Sequence, residues 1–123
     1  MIMKPKENIL LSKSLAFAVR IMNLNKWFYQ NHREIREIAT QILKSGTSIG
    51  ANAEEADSAF SKKEFNSKIG ISLKEAKETR YWLRVLYASN YLDEKMFESL
   101  LFDTEELIKL LTAILKSSKD NMD

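Results

Sequence analysis

Apolar or small residues recur at Ile35, Ile38, Ile42, Gly46, Ile49, Ala53, Ala56 and Phe60, each three or four positions after the last. That spacing lines one face of an α-helix. The rhythm runs through two of the chain's three glycines without a phase slip, so it predicts one continuous helix over residues 34–59. The segment "KSGTSIGANAEEA" is therefore not a phosphate loop. A Walker A loop needs GxxxxGK[ST] after a strand, whereas three residues separate Gly46 from Gly50 and Ala51-Asn52 follows. A hinge is also disfavoured, because none of Ser45, Thr47 and Ser48 has Glu or Gln three positions on to complete a capping box. A local kink stays open, since Gly/Ser pairs are common kink sites, and the third reading is close packing. Gly46, Gly50 and Ala53 form a small-residue patch, and each interior glycine costs about 1 kcal/mol relative to alanine. A helix carrying that cost recovers it from a neighbour pressed against its backbone. Another helix or a bulky ring could be that neighbour, with Tyr81 and Trp82 natural candidates, and the contact could be intrachain or between subunits.

The rest of the chain reads the same way. One proline, two valines and three glycines leave little turn punctuation and little β-branched content for a sheet. Pro5 predicts a short tail over residues 1–7, and Asn8 is a plausible N-cap for a helix over about 8–30. Leu10, Phe17, Ile21, Leu24 and Phe28 form its core stripe. A second stripe, Leu11, Leu15, Ala18 and Met22, lies beside it and fits either a deeply buried helix or a surface for a partner chain. "QNHRE" is a short polar connection, so the next helix returns antiparallel. Ser61 and Glu64 in "SKKE" form a capping box. It opens a third helix over about 61–91 with Phe65, Ile69, Ala76, Leu83 and Leu86 facing inward. Asp93 can cap a fourth helix over about 93–118, whose core stripe is Phe97, Leu100, Leu101, Leu107, Ile108, Leu111, Ile114 and Leu115. Acidic residues at its start and Lys116 and Lys119 at its end suit the helix macrodipole. The predicted fold is an all-α, antiparallel up-down-up-down four-helix bundle in a single domain of 123 residues.

Composition removes several functions. With no cysteine there is no disulfide or thiolate metal site, and a single histidine cannot build a multi-histidine zinc or di-iron site. No cofactor is expected. His32 lies in a predicted turn and is expected to be solvated. No apolar run approaches the roughly 20 residues of a membrane span, and no signal peptide is recognisable, so a cytoplasmic location is expected. Asn52, Glu55, Glu75 and Glu78 form a polar group that could serve acid–base chemistry, but salt bridges and inter-helix hydrogen bonds with Lys74, Lys77, Arg80 and Arg84 are the simpler use. No catalytic residue is assigned, and a non-enzymatic role is expected. Lys62, Lys63 and Lys68 crowd the start of the third helix, and Lys77, Arg80 and Arg84 follow as a basic stripe near Tyr81. Such a stripe either is a solvated face balanced by Glu64, Glu75 and Glu78 or contacts phosphates while an aromatic stacks on bases. The net charge of +2 does not decide between them.

The stretch "QILKSGTSIGANAEEADSAFSKKEFNSKIGISLKEAKETRYWL" resembles a family of small bacterial four-helix-bundle proteins related to those encoded by 23S rRNA intervening sequences. The marks are Ser48-Ile49-Gly50-Ala51-Asn52, Glu55-Ala56, Ser61-Lys62-Lys63-Glu64-Phe65, Lys74-Glu75-Ala76, Glu78-Thr79 and Tyr81-Trp82-Leu83. They are dense over residues 41–91 and thinner over 8–116. The resemblance implies a homopentameric bundle with no established catalytic residues. It extends to the accessory protein of diversity-generating retroelements, associated with a reverse transcriptase and nucleic acid. The resulting expectation is an oligomeric bundle binding structured RNA or DNA through Lys62, Lys63, Lys77, Arg80 and Arg84, with a possible protein partner. The alternative is a protein–protein scaffold.

Overall fold

The computed structural model describes residues 5–121. Four α-helices carry nearly all of it: α1 (Pro5–Asn31), α2 (Arg36–Asp57), α3 (Lys62–Ala88) and α4 (Glu94–Asp120), with a short 3-10 turn at Arg33–Ile35 before α2. No strand occurs among the described residues. The start of α1 differs from expectation, because the helix begins at Pro5 rather than Asn8. Proline's fixed φ of about −65° is compatible with helical backbone. The rest of the expected tail, residues 1–4, lies outside the described residues.

The helix boundaries follow local chemistry. Ser61 accepts a hydrogen bond from the Glu64 N–H at 3.1 Å, as the capping box requires. Glu64 reaches one residue further back than expected and accepts the Phe60 N–H at 3.0 Å. Asp93 caps α4 by accepting the Met96 N–H at 2.7 Å. The end of α3 is a Schellman motif. Asn90 takes the left-handed conformation at φ 66°. The Tyr91 N–H bonds the Leu86 carbonyl at 2.8 Å, and the Asn90 N–H bonds the Tyr87 carbonyl at 3.0 Å.

Neighbouring helices are antiparallel. Asn25 of α1 donates to the Ala39 carbonyl of α2, while Ser14, earlier in α1, lies against Gly50, later in α2. Thr79 of α3 donates to Ser45 of α2, and Ser72 donates to the Ile49 carbonyl at 2.7 Å. Tyr87 stacks on Phe97, while Arg80 reaches Glu105 further along α4. Arg20 bonds Asp103 at 2.6 Å and Lys13 bonds Glu106 at 2.9 Å, closing α1 against α4. These pairs trace an up-down-up-down bundle. Packing is most extensive between α2 and α3 and thinnest between α1 and α4.

All five expected core residues of α1 and all five of α3 are buried in one cluster, together with Ile42, Ile49, Leu100, Leu107, Leu111 and Ile114. Ala59 is buried in the same cluster, whereas Phe60 is 99% exposed. Phe60 was expected to close the α2 stripe. The helix ends at Asp57, so the helical period no longer governs position 60, and the chain turns Ala59 inward instead.

Candidate functional site

The glycine segment is one uninterrupted helix, and its slender middle faces α1. A Cβ at Gly46 would lie 2.8 and 2.9 Å from two γ-carbons of Ile21, and one at Gly50 would lie 3.2 Å from the Ser14 hydroxyl. Ala53 is fully buried. The close-packing role of Gly46 thus has a direct geometric cause, but the neighbour is α1, not Tyr81 or Trp82. Tyr81 is 58% exposed, and Trp82 is half-buried, donating its indole N–H to Glu78 at 3.3 Å. The opposite face of α2 meets α3 through small polar groups, Ser45 with Thr79 and Ser72 with the Ile49 carbonyl.

Among Asn52, Glu55, Glu75 and Glu78, no hydrogen bond joins one to another: three have partners elsewhere, and Glu75 meets Glu78 only through charge. Asn52 donates to the Ser48 carbonyl of its own helix at 2.8 Å. Glu55 pairs with Lys68 at 2.9 Å, and this hydrogen bond holds the Lys68 pKa above its ordinary value. Glu75 is half-buried, and its pKa is raised first by burial and then by the neighbouring Glu78 charge. No group of three or more His, Cys, Asp and Glu side chains that could hold a metal occurs among the described residues. His32 is not freely solvated as expected. It is half-buried, edge-on to Trp27 and Tyr91 with ring centroids at 5.2 Å, and its Nδ1 lies 3.4 Å from the Glu34 carboxylate. A backbone hydrogen bond lowers the Glu34 pKa against opposing desolvation, and His32 adds to the lowering.

The basic residues divide by partner. Arg80 is half-buried, and its Nη1 lies 3.3 Å from both carboxylate oxygens of Glu105 on α4, an ion pair that engages one of its three guanidinium nitrogens. Among the described residues, Lys62, Lys63, Lys77 and Arg84 have no ion-pair partner, and all but Lys62 are exposed. Lys77, Arg80 and Arg84 recur at helical spacing, so all three share the side of α3 that Arg80 turns toward α4. A cleft of about 300 Å³ opens on the same helix pair, floored by Leu73 and Leu115 and rimmed by Lys116, Lys119 and the acidic Asp120. Those two lysines extend the basic surface onto α4. In the sequence they read as macrodipole partners, and the helical period within one helix carries no signal of what the adjacent helix contributes.

These features define an all-helical bundle with small-residue packing at its centre and a basic surface across two adjacent helices. The model of the 23S rRNA-intervening sequence protein family matches residues 6–113, and the chain belongs to that family. Its structure is similar to the crystal structure of a protein of unknown function from the S23 ribosomal protein family of Bacteroides thetaiotaomicron VPI-5482. The two are 48% identical, with a TM-score of 0.86 over 90% of this chain and 98% of the other. No curated protein matches the chain. No described helix is long and apolar enough to cross a membrane.

Proposed function

We propose that this protein is a non-enzymatic, self-associating, cytoplasmic bundle that binds structured RNA or DNA through the α3/α4 face. The observation that carries the reading is the set of α3 cations without an ion-pair partner among the described residues, Lys62, Lys63, Lys77 and Arg84, continued by Lys116 and Lys119 at the rim of the adjoining cleft. Such side chains neutralise phosphates and release condensed counterions. Arg80 contributes by bracing α3 against α4 through Glu105, and Tyr81 offers an exposed ring beside the stripe.

Titration with a structured RNA at several salt concentrations tests this reading. Affinity falls as salt rises, and the double substitution Lys77→Glu/Arg84→Glu weakens binding and flattens the logarithmic salt slope by about 1 per lost phosphate contact. Binding indifferent to salt and to both substitutions overturns the assignment. A second reading, a scaffold recognising only protein, draws on Leu15, Val19 and Met22, which are 65%, 53% and 56% exposed along α1. Under the first reading this face joins copies of the chain, and the resemblance implies a homopentamer. A partner protein retained after nuclease treatment, with no RNA bound, favours the scaffold.

A further inference from the structure

The α2–α3 turn presents a ring that has no structural use within the chain. Phe60 is 99% exposed, the most exposed large apolar side chain described. Yet its backbone is pinned on both sides. The Ser58 and Ala59 N–H groups bond the Glu55 and Ala56 carbonyls at 3.1 Å. Ala59 is buried beneath the turn. The Phe60 N–H is held by the Glu64 carboxylate at 3.0 Å, and Ser61 caps α3. A fixed turn therefore presents an aromatic ring to water, so a partner has only the ring's own side-chain torsions to order and not the backbone beneath it.

The next two residues sharpen its chemistry. Lys62 and Lys63 occupy the first two positions of α3, where the helix macrodipole disfavours cations. The capping carboxylate Glu64 is engaged with the turn's own N–H, and neither lysine has an ion-pair partner among the described residues. The antiparallel packing that sets Leu73 beside Leu115 also brings the start of α3 toward the end of α4, with Lys116, Lys119 and Asp120. An aromatic tip flanked by two cations that have no ion-pair partner among the described residues suits a strand whose phosphates meet the lysines while a base lies on the ring. A duplex hides its base faces by stacking within the helix, so an exposed ring stacks most readily on an unpaired base.

We infer that Phe60 is a stacking platform for an unpaired base, with Lys62 and Lys63 holding the adjacent phosphates. This rests on the nucleic-acid reading above and specifies its substrate as single-stranded or looped. The test uses the full chain with a labelled single-stranded RNA and the same sequence as a duplex. Phe60→Ala weakens single-strand binding by about 5- to 150-fold, the range one base–aromatic stack supplies, and leaves duplex binding and the melting temperature unchanged. Phe60→Leu behaves as Phe60→Ala, and Phe60→Trp retains affinity with its added emission quenched by the single strand. Equal effects on strand and duplex, full affinity in Phe60→Leu, or a change in assembled mass overturns the stacking role, the last two showing an apolar contact with protein. Duplex bound normally with Phe60 irrelevant to the single strand removes this inference and leaves the proposed function standing. No binding to either form removes both.

Discussion

At Glu75 the surroundings disfavour charge. Burial and Glu78 raise its pKa in the folded protein, while Lys74 and Lys44 only partly offset them. The native state therefore holds this proton more tightly than the unfolded chain. Stability falls as pH rises between the unfolded value and the raised folded value, and the cost of the charge persists above that window. Glu75→Gln is expected to raise the melting temperature at neutral pH, and the gain should shrink as pH is lowered through the Glu75 titration. Thermal melts across that range check the sign. Asn90 makes a different demand. At φ 66° an L side chain with a Cβ is strained, and Asn90→Ala should cost about 1–2 kcal/mol in urea unfolding while Asn90→Gly costs nothing. Both residues show the limit of reading side chains singly. Asn90 is visible as a turn former in "ASNY", but the unequal surroundings of Glu75 exist only once α2 stands beside α3. His32, expected in water, likewise meets Tyr91 only when the two ends of distant helices converge.

Helices were the most legible level, because three- and four-residue steps of apolar residues arise from the backbone's own geometry. The α2 rod was readable through Gly46 and Gly50, and the caps at Ser61 and Asp93 through their side-chain types. The neighbour was not readable, since small residues announce a close approach without naming what approaches. Ile21 and Ser14 fill that space, not the candidate rings of Tyr81 and Trp82. Two alanine substitutions separate packing from propensity. Gly46→Ala gains about 1 kcal/mol of helix propensity but forces a methyl into contact with Ile21 at 2.8 Å, an overpacking cost of about 1–3 kcal/mol. It should be neutral to destabilising. Gly70→Ala has nothing within 4 Å of the added carbon and should stabilise by about 1 kcal/mol. Chemical denaturation of both variants, read against the parent, checks the contrast.

For the molecule as a whole, two surfaces remain outside the core. In the second α1 stripe Leu15 and Met22 are exposed while Leu11 and Ala18 are half-buried, and Val19 is exposed beside them, so this side of α1 is not wholly core. If copies associate there, Leu15→Lys/Val19→Lys lowers the assembled mass in light scattering while helix content stays unchanged, since neither side chain supports the fold of one chain. The basic surface joins α3 to α4 and was half legible: Lys77, Arg80 and Arg84 show their common face by spacing, but Arg80 pairs with Glu105, and Lys116, Lys119 and Asp120 complete the rim. What the sequence by itself determined is the number of helices, their inward faces and most of their caps, because these follow from periodicity and from hydrogen bonds spanning three or four residues. Tertiary structure alone decided that α1 fills the glycine groove, that Arg80 pairs with Glu105 of α4 and that Phe60 is left in solvent. Each depends on which atoms distant segments bring within van der Waals or Coulomb range, and local patterns do not encode those distances.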